Sequence, residues 1–166
     1  MPNQPMTIPK VAKLDATVKH TDIQDEVITN NDFFPTIRLL EVRNAMRIDG
    51  TVTNERLKHA IIEAMATVNF DLRDFRKKHQ ANGKRSLEDC DDEEINGTNL
   101  LEYQYKRAVY SLATANLYER YRSFDSTKDG NDKADELLNT AGDLRRDYHF
   151  AVRDMLGTQR LITELI

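Results

Sequence analysis

The sequence predicts an all-α fold: a small bundle of about four helices, spanning residues 35–157, with an extended N-terminal arm (1–34) and a short C-terminal tail (158–166). Three observations predict it. Long runs place apolar residues at alternating steps of three and four, the period of one helix face. Capping residues and glycines punctuate those runs where helices should start and stop. Three of the four prolines, Pro2, Pro5 and Pro9, gather in the arm, outside every periodic run.

In the arm, Ile8, Val11, Leu14, Ile23, Val27 and Ile28 keep no sustained period. They are too many for full exposure, so part of the arm is expected to lie on its own domain or on a neighbour. After Phe33-Phe34-Pro35 a short helix is expected near 37–48, with Leu39, Val42 and Met46 on one face. The turn Asp49-Gly50 is expected to stop it, because glycine takes positive φ without a Cβ clash.

A second helix is expected over 54–82, capped by the Thr53 hydroxyl. Its apolar row is Leu57, Ile61, Ala64, Val68, Leu72 and Phe75, and Gly83 marks its end. Roughly 28 residues at 1.5 Å each give a rod of about 42 Å, a length that suits a bundle. The segment KRSLEDCDDEEINGT (84–98) reads as a polar, exposed loop. The third helix, 99–123, opens on Asn99 and Glu102 in capping-box spacing. It carries apolar residues on more than one face, so it is expected to be the central helix. The fourth, 132–156, has the row Leu137, Ala141, Leu144, Tyr148, Ala151, Met155 and closes at Gly157. The tail TQRLITELI could pair as a strand or lodge in a groove.

With 166 residues, 39% of them hydrophobic and 31% charged, the chain has one domain's length and a lean core, as expected if burial is completed against partners. A net charge of -4 offers no overall cationic field for nucleic-acid phosphates. The single cysteine, Cys90, excludes an internal disulfide and a thiol-based zinc site, and is compatible with a reducing cytosol. No window of 18 apolar residues and no secretory h-region is present, so a soluble protein is expected.

Several signals bear on chemistry. Asp125, Thr127, Asp129, Gly130 and Glu136 fall at positions 1, 3, 5, 6 and 12 of a calcium-loop window. Asp132 and Lys133, however, occupy its positions 8 and 9, where an apolar residue and a ligand belong, and no second loop exists to pair with it. A polar turn at Asp129-Gly130 with Asn131 or Asp132 capping the next helix accounts for every residue. His59 and Glu63 have the spacing of a helical metal pair, but no third ligand converges on them. Acids flank Cys90 and disfavour its thiolate. The run NLYERYRSF (116–124) mixes aromatics and arginines as stacking surfaces for nucleic acid do, although helical spacing sorts it into an aromatic core and an Arg–Glu119 surface. Residues 54–85 hold eight Lys or Arg against four acids, and residues 86–98 hold six acids and no base. Such a bipolar chain suits head-to-tail self-assembly.

The block LATANLYERYRSFDSTKDGNDKADEL (112–137), with FFP (33–35), VRNAMRIDGTV (42–52) and RLKHAI (56–61), resembles the head-completion proteins of contractile-tailed temperate bacteriophages. The resemblance implies a non-enzymatic adaptor without cofactor or metal. It would bind beneath the portal of the DNA-filled head as a ring, commonly of about twelve copies, retain the genome and provide the tail attachment site. Its partners would be the portal protein, a tail completion protein and other copies of itself. DNA would pass through without sequence-specific binding, no membrane would be involved, and the protein, made in the host bacterial cytoplasm, would reside in the virion.

On that reading Arg120 and Arg122 form ion pairs at a subunit boundary. Glu88, Asp91, Asp92 and Glu93 face the lumen or a neighbour's basic second helix, and Leu161, Ile162, Leu165 and Ile166 dock on the portal or an adjacent subunit. The competing classes are a calcium-responsive helical switch and a helical nucleic-acid-binding protein.

Overall fold

The computed structural model describes residues 26–121 and 128–157, with Tyr121 and 128–139 described at the level of secondary structure. In chain order the elements are β1 (Val27–Ile28), β2 (Ile37–Arg38), α1 (Leu39–Ala45), α2 (Asn54–Asp71), α3 (Arg73–Ala81), β3 (Glu94–Ile95), β4 (Thr98–Asn99), α4 (Leu100–Tyr121) and α5 (Lys128–Met155). The fold is largely helical but not strictly all-α, because β1 pairs with β2 and β3 with β4 in two small antiparallel sheets.

Helix α4 lies between α2 and α5. Both partners run antiparallel to it: Asn69 and Glu63 of α2 meet Tyr105 and Arg120, while Asp147 and Arg145 of α5 meet Arg107 and Glu119. Of the row read from the sequence, Leu57, Ile61, Ala64, Val68 and Leu72 are fully buried in one core with Tyr105, Ala108 and Val109, while Phe75, on α3, is half-buried. Each such large apolar side chain contributes on the order of 2 kcal/mol of burial. On α4, Thr114 is 1% exposed, on the side opposite Tyr105; its hydroxyl donates to the Tyr110 carbonyl at 2.8 Å, so the buried group has its partner. A helix buried on opposite faces is the central one, as its sequence predicts.

Both predicted caps form. Thr53 Oγ1 accepts from the Arg56 amide at 3.4 Å, and Asn99 Oδ1 from the Glu102 amide at 3.1 Å. The second predicted helix bends at Leu72, whose ψ of 9° separates α2 from α3. Hydrogen bonds from Leu72 N to Val68 O and from Arg76 N to Leu72 O, both 2.9 Å, carry the ladder across the bend. No proline or glycine announces it.

Helix α1 is shorter than expected, since Ile37 and Arg38 are extended. It ends at Ala45, and the residue that turns the chain away is not Gly50 but Arg47, whose φ is 52°. The Ile48 amide bonds to Arg43 O at 2.9 Å and the Arg47 amide to Asn44 O at 3.4 Å, a Schellman closure with a non-glycine residue in the left-handed position. The Arg43 guanidinium then ties the loop down, donating to Asp49 O (2.6 Å), Val52 O (2.9 Å) and Asn54 Oδ1 (2.9 Å).

The connector 84–98 is more ordered than an exposed loop. Leu87 is 1% exposed, and its amide donates to Phe33 O at 2.8 Å. Asn96 and Gly97, with φ of 53° and 71°, form the two-residue turn that joins β3 to β4. Two successive positive φ values match the right-handed twist of a hairpin, which is why Asn-Gly is favoured there. Asp129, Gly130, Asn131 and Asp132 lie inside α5, so the expected turn and cap at these positions are corrected. Helix propensity is a weak prior, and 28 residues of helix absorb two glycines, Gly130 and Gly142.

Candidate interaction surfaces

The segment Asn30–Pro35 is held to the bundle by a closed triangle of hydrogen bonds. Tyr105 donates its hydroxyl to Asn69 Oδ1 (2.7 Å), Asn69 Nδ2 donates to Asn30 Oδ1 (2.9 Å), and Asn30 Nδ2 donates back to the Tyr105 oxygen (2.7 Å). Each member gives and receives, so the bonds polarise one another. Asn31 Oδ1 accepts from the Phe33 and Phe34 amides at 3.1 Å, and the Phe34 ring stacks on Tyr105 with centroids 4.8 Å apart. Burial pushes the Tyr105 hydroxyl far above its ordinary range, so it remains a donor.

Next to this anchored segment lies the acidic face. Lys84, Glu88, Asp89, Cys90, Asp91, Asp92, Glu94, Glu102 and Lys106 border a groove of about 890 Å³. Its acids are not equivalent. A hydrogen bond to Glu102, together with that neighbour's charge, raises the Glu88 carboxyl. Burial pushes Glu102 upward, but bonds to Lys106 and Glu88 outweigh it and leave Glu102 below its usual range. Lys106 Nζ sits 2.7 Å from Glu102, so this end of the groove is partly neutralised. Asp91, Asp92, Glu93 and Glu94 are exposed. Burial raises the Cys90 thiol, and Asp89 and Asp91 add to the rise against Lys84. The thiol donates to Ser86 O at 3.4 Å, a structural rather than a nucleophilic setting.

The arginines of α4 and α5 are engaged within the chain. A single nitrogen of Arg120 reaches both carboxylate oxygens of Glu63, at 2.6 and 2.8 Å, and these bonds lower that carboxyl. His59 Nε2 lies 3.3 Å from the same Glu63, which places this pair in an ion-pair cluster. Arg145 forks onto Glu119 at 2.6 and 2.7 Å and reaches Asn116 at 3.2 Å. These two pairs, of which Arg145–Glu119 is bidentate, fix the α2–α4 and α4–α5 registers more than they stabilise, since each is substantially exposed.

Arg122, Leu161, Ile162, Leu165 and Ile166 lie outside the described residues, as do Asp125 and Thr127 of the calcium window. Its positions 5 and 6 are helical, whereas a calcium loop needs a sharp turn there. Among the described residues, no group of three His, Cys, Asp or Glu side chains could hold a metal ion, and no helix is long and apolar enough to cross a membrane.

Sequence reasoning passed over a set of exposed apolar side chains. Phe70 is 62% exposed, Ile95 63% and Tyr103 55%. The signal for Phe70 was available, since it falls off the buried row of α2. Arg73 places its guanidinium 4.4 Å from the Phe70 ring centroid, a cation–π contact at the surface.

Comparison with known proteins agrees with the resemblance. The chain is 39% identical over 142 residues to the head completion/stabilization protein of Escherichia phage P2, covering 86% of this chain and 84% of that protein. It is 28% identical over 139 residues to the probable head completion/stabilization protein of Haemophilus phage HP1 (strain HP1c1), covering 84% of this chain and 91% of that one. No solved structure matches. The family model "Phage head completion protein (GPL)" matches residues 28–166, and the chain belongs to that family.

Proposed function

We propose that the protein is a non-enzymatic adaptor of the phage virion. It binds as a ring beneath the portal of the DNA-filled head, keeps the genome in and provides the surface on which the tail docks. The observation that carries this reading is the family match from residue 28 to the C-terminus, which spans the whole described bundle. The net charge of -4 supports it physically, because a net acidic chain repels phosphates and does not trap a passing duplex. On this reading Glu88, Asp91, Asp92 and Glu93 face either the lumen or a neighbouring copy, Arg120 and Arg122 lie near a subunit boundary, and the apolar side chains of the tail dock on the portal or an adjacent subunit.

Genome-filled heads made without the protein test the reading. Adding the purified chain is expected to make their DNA nuclease-resistant and to restore tail attachment. Heads that lose DNA and refuse tails equally with and without it would overturn the proposal.

A further inference from the structure

Two exposed patches of opposite charge each carry an apolar centre. On the first, Ile95 and Tyr103 flank a cavity of about 420 Å³, completed by Asn96, Thr98 and Leu100, next to the exposed acids Asp91, Asp92, Glu93 and Glu94. On the second, Ile62 and Phe70 stand eight residues apart on α2, 46% and 62% exposed, with exposed Ala66 between them. Arg73, Lys77 and Lys78 continue from Phe70 along α3, and all three are exposed. Among the described residues, no ion pair engages Asp92, Glu93, Glu94, Lys77 or Lys78. Arg73 pairs with Asp74 at 3.6 Å, so the charge left for a partner comes from Asp92, Glu93 and Glu94 on one patch and from Lys77 and Lys78 on the other.

We infer that these two patches are the two halves of one contact between copies of this chain: the β3–β4 hairpin, through Ile95 and Tyr103, docks on the Phe70 stripe of the next copy, and the acids of 91–94 meet its Lys77 and Lys78. An apolar centre with a charged rim is the usual anatomy of a specific interface. Opposite rims set orientation and partner choice. Because the two patches differ, the contact is head-to-tail, and each copy has one of each to offer. The inference deepens the ring-forming reading above and rests on it.

Disulfide trapping tests it. In a Cys90→Ser background, one chain carries Phe70→Cys and another Ile95→Cys; the two are mixed and oxidised, free and on genome-filled heads lacking the protein. A mixed Phe70→Cys/Ile95→Cys dimer is expected. Adding Glu93→Lys and Glu94→Lys to the hairpin partner should cut its yield about tenfold, and Lys77→Glu with Lys78→Glu on the other chain should restore it. Only same-variant dimers, or no disulfide in either setting, would overturn the contact. Heads that become nuclease-resistant without the mixed dimer sink the contact while sparing the head-completion reading. A mixed dimer from chains that leave heads leaky sinks that reading while sparing the contact.

Discussion

The hydroxyl of Tyr105 and the side chain of Asn69 join α4 to α2 through a 2.7 Å hydrogen bond, and Asn30 closes both ends of it into a triangle. Tyr105→Phe removes the corner that both donates and accepts. It leaves Asn69 Oδ1 and Asn30 Nδ2 short of partners in a half-buried site, at an expected cost of about 1–3 kcal/mol. Urea unfolding measures it; a loss below a few tenths would mean that water replaces the hydroxyl at no cost.

Alkaline pH acts on the same residue. Burial raises the hydroxyls of Tyr105, Tyr110 and Tyr148, with the Glu41 charge adding at Tyr110 and the Asp71 hydrogen bond at Tyr148. The unfolded chain releases these protons at about pH 10, earlier than the folded one. Stabilisation is therefore complete below that pH and is lost as pH rises toward the folded values. Each such tyrosine steepens the fall by up to about 1.4 kcal/mol per pH unit. Denaturation series between pH 8 and pH 11 should show the loss, with a shallower slope in Tyr105→Phe; equal slopes would refute the assignment.

Arg47 holds a φ of 52° at the end of α1, where glycine carries no Cβ penalty. Arg47→Gly is expected to stabilise the protein by about 0.5–1 kcal/mol. Arg47→Ala keeps the Cβ and should gain nothing. If both variants melt alike, the side chain rather than the backbone governs this position.

Leu87→Ala should cost about 2–5 kcal/mol, the range for a large apolar side chain lost from a core. The residue is 1% exposed, and its amide bonds to Phe33 O. Its loss should loosen the acidic connector as well as the core. Hydrogen exchange should rise across 84–99 at the same time; a stability loss without that rise would separate the two roles.

Removal of residues 158–166 is expected to abolish attachment to portal-bearing heads while leaving helical circular dichroism nearly intact. A large loss of helix would show instead that the tail packs on its own bundle.

Helices were legible where the physics is local. The Leu57-to-Leu72 row, the Thr53 and Asn99 caps and the central place of α4 follow from spacing and from short-range hydrogen bonding. The hairpin went unread, because its acidic surroundings read as a loop, although Asn96-Gly97 is a strong short-range turn signal. Arg47 was not legible, since a left-handed arginine is imposed by the Arg43 and Ile48 contacts around it rather than by its own preference. Nor was the Asn30–Asn69–Tyr105 triangle, whose corners are 39 and 36 residues apart in the chain. Of the interaction surfaces, charge runs showed the rims. The apolar centres Ile95 and Tyr103 became visible only once the rotation of α4 and the pairing of the hairpin were fixed.

Glu26 is doubly tethered: its carbonyl accepts from the Leu39 amide at 2.9 Å, and its carboxylate meets Lys58. The β1–β2 pair begins at the next residue. Tension applied at Glu26 would therefore load both of these bonds. It is resisted by the head of α1 and the first turns of α2, while the Asn30 corner bars its passage to α4. The carbonyl and the carboxylate of one residue thus clamp the start of the β1–β2 pair to both α1 and α2.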